Sequence, residues 1–357
     1  MIDNTNRQAA GAMESILSAL NVPCLVDDIE TNSFSIYYRL LPQGKTSVNK
    51  LKRIIIDLSI YFKNPEIIID NGLYLKIDNV SGNRQFYDFF KYAEKTSGAE
   101  LIPLYVGIDE HGKKIILDLS TLPHLLIAGA TGTGKSIFIH DLILSLLTQD
   151  NNLLLIDPKY VELSLYKNTR GVNVITDNNA IIPALENAYN LMIERYRQLE
   201  RSGETDGHKV FKPYIIVIDE LSDIMLNKAT KRQAELLISK IAAMGRAASV
   251  HLIIATQRPS VNVLTGLIKA NIPARIAFTC ASAIDSRCIL DRKGAETLQG
   301  KGDALIKLCD CDNFIRIQAY NNSIQEIKDF IKPLQEQTRQ VNTRYKPKIS
   351  ILRKLFV

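Results

Sequence analysis

A glycine-rich segment with a lysine and a serine at its end lies in the first half of the chain, at residues 129–136. It follows the apolar run His124 to Ala128, opens a helical pattern and has the spacing of a P-loop. Glycines allow the backbone to wrap closely around phosphate oxygens, which the amide groups and the helix N-terminus then bind. The spacing therefore predicts a nucleotide-phosphate site; the alternative is a plain glycine-rich turn. The segment consists of Gly129, Ala130, Thr131, Gly132, Thr133, Gly134, Lys135 and Ser136.

The two polar residues that end this segment have separate predicted roles. The Lys135 ammonium is expected to contact the β and γ phosphates of a nucleoside triphosphate. The Ser136 hydroxyl is expected to bind Mg²⁺. The predicted cofactors are therefore ATP and Mg²⁺.

Two acids, Asp219 and Glu220, follow the apolar run that begins at Pro213. At the carboxyl end of a parallel strand, an aspartate is placed to meet the metal bound by Ser136. We assign Asp219 to Mg²⁺ and Glu220 to the general base that deprotonates the attacking water. The alternative is a helix N-cap with an acid in the first turn.

A further apolar run ends in Thr256, Gln257, Arg258 and Pro259. Thr256 or Gln257 is placed to sense the γ phosphate, or else to cap the turn before Pro259. Arg246 stands among small residues at the end of a predicted helix. It is interpreted either as an arginine finger supplied to an adjacent subunit or as a solvated surface arginine, and spacing favours neither.

From Leu101 onward, apolar β-rich runs alternate with helical patterns, which indicates an α/β fold with a mostly parallel sheet. The runs are almost continuously apolar, as in strands covered by helices on both faces. The predicted strands are His124 to Ala128, Leu153 to Ile156, Tyr214 to Ile218, Val250 to Ala255 and Arg275 to Phe278. The predicted helices are Lys135 to Leu147, Ile181 to Leu199, Lys231 to Met244 and Leu264 to Lys269.

Three segments are predicted. Residues 1–97 form a small α+β domain without chemistry of its own, interpreted as a docking or assembly domain, with one helix from Val48 to Phe62. Residues 98–331 form the P-loop domain. Residues 332–357 form a basic tail, either a DNA anchor or a solvated surface. The strands predicted in the small domain are Cys24 to Val26, Phe34 to Leu40, Ile67 to Ile69 and Leu73 to Ile77.

Composition excludes several classes of protein. The 357 residues, 46% hydrophobic and 23% charged, fit a globular protein of about two domains. The sequence has neither a signal-peptide pattern nor a membrane-spanning apolar run, so insertion into a membrane is not expected. Five cysteines without metal-ligand spacing indicate the reducing cytoplasm, and a net charge of +6 permits a polyanionic partner.

Two other groups of residues are interpreted without a catalytic role. Cys309, Asp310 and Cys311 are read as a hairpin loop between two alternating runs. His124, His140 and His251 are isolated in the sequence, which suggests no catalytic triad.

Taken together, the segments 123–136, 156–163 and 245–278 resemble the FtsK/SpoIIIE family of bacterial DNA translocases, and the resemblance extends over about residues 101–320. It implies a RecA-like ATPase that assembles as a homo-oligomer, a hexameric ring, around double-stranded DNA. Arg246 falls at the family's trans-acting arginine. Arg258, Lys269 and Arg287 fall in segments that approach the central channel in this family.

The chain departs from the larger family members, since we expect it to have room for neither their membrane helices nor their winged-helix domain. We therefore expect an ATP-driven translocase acting on plasmid, phage, integrative-element or chromosomal DNA, without reading its sequence. The alternatives are a conjugation-type or packaging pump, and an ATP-gated module that recruits DNA-processing proteins without translocating.

Overall fold

The computed structural model describes residues 4–32, 34–62, 65–69, 72–78, 86–92, 100–149, 151–308 and 313–344. The chain divides into two compact units. The first contains Met1–Phe86 and Ile108–Lys113, and the second contains Tyr87–Gly107 and Lys114–Val357. The predicted domain boundary at residue 97 lies outside the described residues.

The first unit is an antiparallel four-stranded sheet with the strand order β1-β2-β4-β3, accompanied by short helices. The first helix was not predicted, although Ala10, Met13 and Leu17 recur at helical spacing and are buried in the core of this unit. The elements are α1 (Asn4–Ala19), β1 (Cys24–Thr31), β2 (Ser35–Pro42), α2 (Val48–Arg53), α3 (Ile55–Leu58), β3 (Glu66–Ile69) and β4 (Leu73–Asp78).

The prediction of one continuous helix from Val48 to Phe62 was wrong. The structure has α2 and α3 separated at Ile54, which leaves helical geometry with φ −83° and ψ 4°. Three consecutive isoleucines begin there, and β-branched side chains lower helix propensity. Leu51 and Leu58 are nevertheless buried in the same core, so the apolar periodicity correctly identified the buried face.

The second unit contains a ten-stranded sheet, and β6 and β5 are the first two strands at one of its edges. Its strands are β5 (Pro103–Asp109), β6 (Lys114–Asp118), β7 (His124–Ala128), β8 (Asn152–Ile156), β9 (Val172–Ile175), β10 (Tyr214–Ile218), β11 (Val250–Thr256), β12 (Ala274–Phe278), β13 (Asp303–Lys307) and β14 (Ile315–Gln318). Its helices are α4 (Phe89–Tyr92), α5 (Lys135–Leu147), α6 (Asn178–Ser202), α7 (Leu221–Met225), α8 (Lys231–Met244), α9 (Gly266–Asn271), α10 (Ala283–Leu290) and α11 (Ile324–Arg344).

The strand order is β6-β5-β14-β13-β12-β7-β11-β10-β8-β9. The strands from β12 to β9 are parallel to their neighbours, whereas β13 and β14 pair antiparallel. The predicted α/β class with a mostly parallel sheet is thereby confirmed. Strands β7, β11 and β12 are buried along their whole length, as the apolar runs indicated.

The parallel register brings four strand ends to one place, which we call the carboxyl edge. Ile218 of β10 lies opposite both Ile156 of β8 and Ile254 of β11. Thr256 of β11 lies opposite Ala128 of β7. The residues that follow β7, β8, β10 and β11 therefore leave the sheet side by side, and this edge is where ligands of open α/β sheets bind.

The predicted basic tail does not begin as a separate segment, because residue 332 lies inside α11. The Gln335 side chain of this helix donates hydrogen bonds to the carbonyls of Leu165 (2.8 Å) and Lys167 (2.9 Å). Residues 345–357 lie outside the described part of the chain, as does the predicted hairpin loop at residues 309–311. Among the described helices, none is both long and apolar enough to cross a membrane.

Candidate nucleotide-binding site

The P-loop segment connects β7 to α5, as its sequence predicted. Gly132 and Gly134 have φ values of +78° and +108°, which L side chains rarely adopt. A Cβ added at Gly134 would lie 2.7 Å from the backbone nitrogen of Gly302, and one at Gly129 would lie 2.5 Å from Cβ of Phe278. Glycine is thus required at these positions, and the loop keeps its backbone close to the space that phosphates occupy in such loops.

Lys135 and Asp219 meet in the buried centre of the site. The Lys135 ammonium donates a hydrogen bond to the Asp219 carbonyl at 3.2 Å and lies 3.6 Å from its Oδ1. Burial raises the pKa of Asp219, and the Lys135 charge opposes that rise. Within the described residues, Asp219 Oδ1 accepts no hydrogen bond. A buried carboxylate oxygen with remaining acceptor capacity fits the role of holding a metal-bound water.

Glu220 is almost fully buried, and Thr256, Ser222 and Gln257 donate its shortest hydrogen bonds. Its Oε1 accepts from the hydroxyls of Thr256 and Ser222, both at 2.7 Å, and its Oε2 accepts from the amide of Gln257 at 3.0 Å. Burial alone raises the pKa of Glu220, but these hydrogen bonds outweigh burial and lower it. Glu220 is therefore a carboxylate at neutral pH, as a general base must be.

The structure also contains the capping contacts that were the alternative interpretations of Glu220 and of Thr256. Glu220 is the N-cap of α7, since Oε1 also accepts from the Ser222 amide at 3.2 Å. Thr256 accepts from the Arg258 amide at 3.1 Å and so caps the turn before Pro259. Gln257, in contrast, accepts a hydrogen bond from the Thr131 hydroxyl at 2.8 Å, which joins the end of β11 to the P-loop.

Two further residues reach this site, although no role was assigned to them from the sequence. Glu162 lies close to Ser136, and Ser136 is in the first turn of α5. The pKa of Glu162 is lowered mainly by His140 and also by the Ser136 hydroxyl. The Lys159 ammonium lies 3.5 Å from Oε2 of Glu220. Both follow β8, the strand beside β10, and this placement in a parallel sheet is the signal that could have identified them.

Arg246 does not join these residues. It is exposed in a short 3₁₀ turn, Arg246–Ala248, which directly precedes β11. The turn therefore lies at the amino edge of the sheet, opposite the P-loop. Arg195 stabilises this turn, because its guanidinium donates hydrogen bonds to the carbonyls of Ala248 and Ser249, both at 2.8 Å.

Two of the histidines that are isolated in the sequence, His124 and His251, lie near each other and near His208 in the structure, and the absence of a catalytic triad stays a prediction. His251 Nε2 lies 3.2 Å from Nε2 of His208, and the ring centroids of His251 and His124 are 6.4 Å apart. Burial lowers the pKa of His251 to about 3 and that of His124 to about 4, so both stay neutral. They lie at the amino edge, remote from the P-loop. His140 contacts Tyr166 instead, at 2.9 Å.

The three residues assigned to DNA differ in their surroundings. Arg258 is exposed at the carboxyl edge, and Arg287 is exposed on α10. The Lys269 ammonium lies 2.8 Å from Asp291, which also binds Arg275 at 2.6 Å and Lys307 at 2.7 Å. Lys269 thus already has a charged partner within the fold, which is the alternative to a DNA contact.

A P-loop between a parallel strand and a helix, with an acidic pair ending another strand of the same sheet, defines a P-loop ATPase fold. The chain belongs to the FtsK/SpoIIIE family, which it matches over residues 88–215 and 204–261.

Similar sequences support this assignment. The chain is 34% identical to the DNA translocase FtsK of Haemophilus influenzae over 362 residues, covering 88% of this chain and 68% of the relative. It is 35% identical over 353 residues to the DNA translocase FtsK of Caldanaerobacter subterraneus subsp. tengcongensis, covering 92% of this chain and 49% of the relative. The chain thus spans about half the length of that relative.

Solved structures share the fold. The pCW3 conjugation coupling protein TcpA, in its monomer form with ATPγS, superposes with a TM-score of 0.67 at 24% identity, covering 92% of this chain and 99% of TcpA. The cytoplasmic domain of the type VII secretion ATPase EccC of Thermomonospora curvata has a TM-score of 0.56 at 23% identity, covering 67% of this chain and 32% of EccC.

Proposed function

We propose that this chain is an ATP-driven motor that moves along double-stranded DNA. The observation that carries the proposal is the geometry of Glu220, an ionised carboxylate fixed by Thr256, Ser222 and Gln257 at the edge that also bears the P-loop. A protein that only binds ATP needs no such base. The DNA substrate is proposed from family membership and from relatives that are DNA translocases.

Each site residue has a distinct task in ATP hydrolysis. The amides of residues 129–136 and the Lys135 ammonium bind the phosphates. Ser136 and Asp219 would hold Mg²⁺, which neutralises charge on the phosphate oxygens. Glu220 accepts the proton of the attacking water. Gln257 is proposed to sense changes at the γ phosphate, which its hydrogen bond from Thr131 of the P-loop supports.

Hydrolysis by this site is proposed to require a neighbouring subunit. Arg246 lies at the opposite edge of the sheet from Glu220, so it does not complete the site of its own chain. In a closed homo-oligomeric ring with head-to-tail interfaces, one subunit's amino edge can face the next subunit's P-loop. We propose such a ring, a hexamer by resemblance to the family, with Arg246 acting in trans.

DNA binding is proposed to use phosphate contacts, since these carry no sequence information and suit a motor that must pass any sequence. Arg258 and Arg287, both exposed, are the stronger candidates. Lys269 contributes only when its ion pair with Asp291 opens. The DNA is plasmid, phage, integrative-element or chromosomal DNA, and the proposed location is the cytoplasm.

The proposal is tested by measuring ATP hydrolysis with and without long duplex DNA, beside Lys135→Ala and Glu220→Gln. We expect strong stimulation of the unmodified chain, loss of nucleotide binding in Lys135→Ala, and binding without turnover in Glu220→Gln. Equal rates with and without duplex would favour the recruitment module, and normal turnover in Glu220→Gln would remove that residue from catalysis.

A further inference from the structure

The loop after β8 places a lysine beside the proposed catalytic base. Asp157, fully buried at the end of β8, accepts hydrogen bonds from the amides of Lys159 (3.2 Å) and Leu163 (2.9 Å). Tyr160 between them has a φ of +63°, a conformation that non-glycine residues rarely adopt. The backbone at Lys159 is therefore fixed, and because β8 pairs with β10 in register, it is fixed next to Glu220.

The two carboxylate oxygens of Glu220 have different surroundings. Oε1 accepts short hydrogen bonds from the Thr256 and Ser222 hydroxyls and longer ones from the Ser222 and Gln257 amides. Oε2 accepts from the Gln257 amide and, more weakly, from the Lys159 ammonium at 3.5 Å. A carboxylate oxygen holds about two acceptor sites, so Oε1 is saturated. Oε2 is the oxygen that can take the proton of a water, and Lys159 stands at that oxygen.

Lys159 has a second partner within reach. Its ammonium lies 3.8 Å from the Asp223 carboxylate, and the side chains of Lys159 and Asp223 are 42% and 38% exposed. Glu220, in contrast, is 1% exposed. Because the Lys159 side chain is partly exposed in both pairs and both distances are long, water weakens each pair and the lysine can exchange partners. The lysine can therefore move fully to Asp223 while Glu220 remains in place.

We propose that Lys159 is a positioning residue that occupies Oε2 of Glu220 in the resting chain, and that its transfer to Asp223 frees this oxygen for the attacking water. The inference rests on the proposed role of Glu220 as the general base. On this inference, the reactive oxygen of Glu220 is available to water only after the lysine has left it.

The test compares Lys159→Met, Lys159→Arg and Asp223→Asn with the unmodified chain in ATP hydrolysis without DNA, measuring kcat and KM separately. Lys159→Met should raise kcat about three- to fivefold with KM unchanged, as expected for loss of a partly exposed ion pair. Lys159→Arg should retain the unmodified rate, because it keeps the charge. Asp223→Asn should lower kcat, because the lysine loses its second partner. Lys167→Met, an exposed lysine of the same loop, is the control and should change neither constant.

Three results would overturn the proposal. A fall in kcat for Lys159→Met would mean that the lysine stabilises the transition state, and an unchanged kcat would mean that it does not restrain the base. The stimulation must also vanish when Lys159→Met is combined with Glu220→Gln. If Glu220→Gln alone keeps full turnover, the proposed role of Glu220 fails together with this inference; if Glu220→Gln is inactive and Lys159→Met is unchanged, only this inference fails.

Discussion

Arg195 on α6 is predicted to be essential for the turn that carries Arg246. Arg195 is 7% exposed, and its guanidinium donates hydrogen bonds to three backbone carbonyls, those of Ala248 (2.8 Å), Ser249 (2.8 Å) and Lys212 (2.7 Å). The same group stacks over the ring of Phe211, with 5.0 Å between the guanidinium carbon and the ring centroid. Burial lowers the pKa of Arg195, but an arginine stays charged in proteins.

The expected loss of stability follows from these contacts. A hydrogen bond to a charged group contributes about 1.5–3 kcal/mol. The full sum over three bonds is not expected, since the guanidinium itself loses hydration on burial. For Arg195→Met, which keeps an apolar stem, we expect unfolding to become easier by about 3 kcal/mol, because carbonyls are left unpaired.

The assay is chemical denaturation followed by circular dichroism, with Arg197→Met as the matched control. Arg197 lies on the same helix, is 63% exposed and, among the residues that the structure describes, pairs only with Glu194 at 3.5 Å, so its replacement should change stability by less than about 0.5 kcal/mol. Nucleotide affinity should be retained in Arg195→Met, because the P-loop lies at the other edge. A loss in Arg195→Met within 1 kcal/mol of the control would refute the reasoning.

Three further predictions concern charge. Burial tends to raise the pKa of Asp291, but hydrogen bonds from Lys269 and Lys307 outweigh burial and hold that pKa far below the ordinary 3.8. The ionised Asp291 therefore stabilises the folded chain above about pH 4, and this contribution is lost as the pH falls further. Asp291→Asn should make the free energy of unfolding depend less on pH in this acidic range. Mixing Arg246→Ala subunits with Glu220→Gln subunits should restore some hydrolysis, and a failure at every mixing ratio would contradict an arginine acting in trans. Arg258→Ala should lower the slope of log binding constant against log salt concentration by about one unit on two unrelated duplexes, whereas Lys269→Ala should mainly lower thermal stability. Equal slopes for Arg258→Ala and the unmodified chain would remove Arg258 from the DNA contacts.

The central strands and the P-loop could be predicted from the sequence because each is determined by residues that are adjacent in the chain. Strands such as β7 and β11 are continuous apolar runs, since helices cover both faces, and the glycines of the P-loop reflect backbone geometry at their own positions. The break at Ile54 could not be predicted from periodicity, because the apolar spacing continues across it.

The arrangement of the site depends on which strands are neighbours, and a sequence does not state this. Lys159 and Glu220 are 61 positions apart and meet only because β8 and β10 pair in parallel. The contact of His208 with His251 has the same origin, in a loop that packs against the start of β11. Arg246 could be recognised as a candidate finger, but its position opposite the P-loop required the topology of the sheet.

Movement along DNA is tested most directly by displacement of a third strand bound to one end of a long linear duplex. With ATP, the unmodified chain should displace the third strand, whereas Glu220→Gln should bind ATP and the duplex but leave the triplex intact. Replacing ATP with ADP should abolish displacement by the unmodified chain. If the unmodified chain hydrolyses ATP in the presence of the duplex and the third strand stays bound, the chain is not a translocase, and the ATP-gated recruitment module becomes the better account.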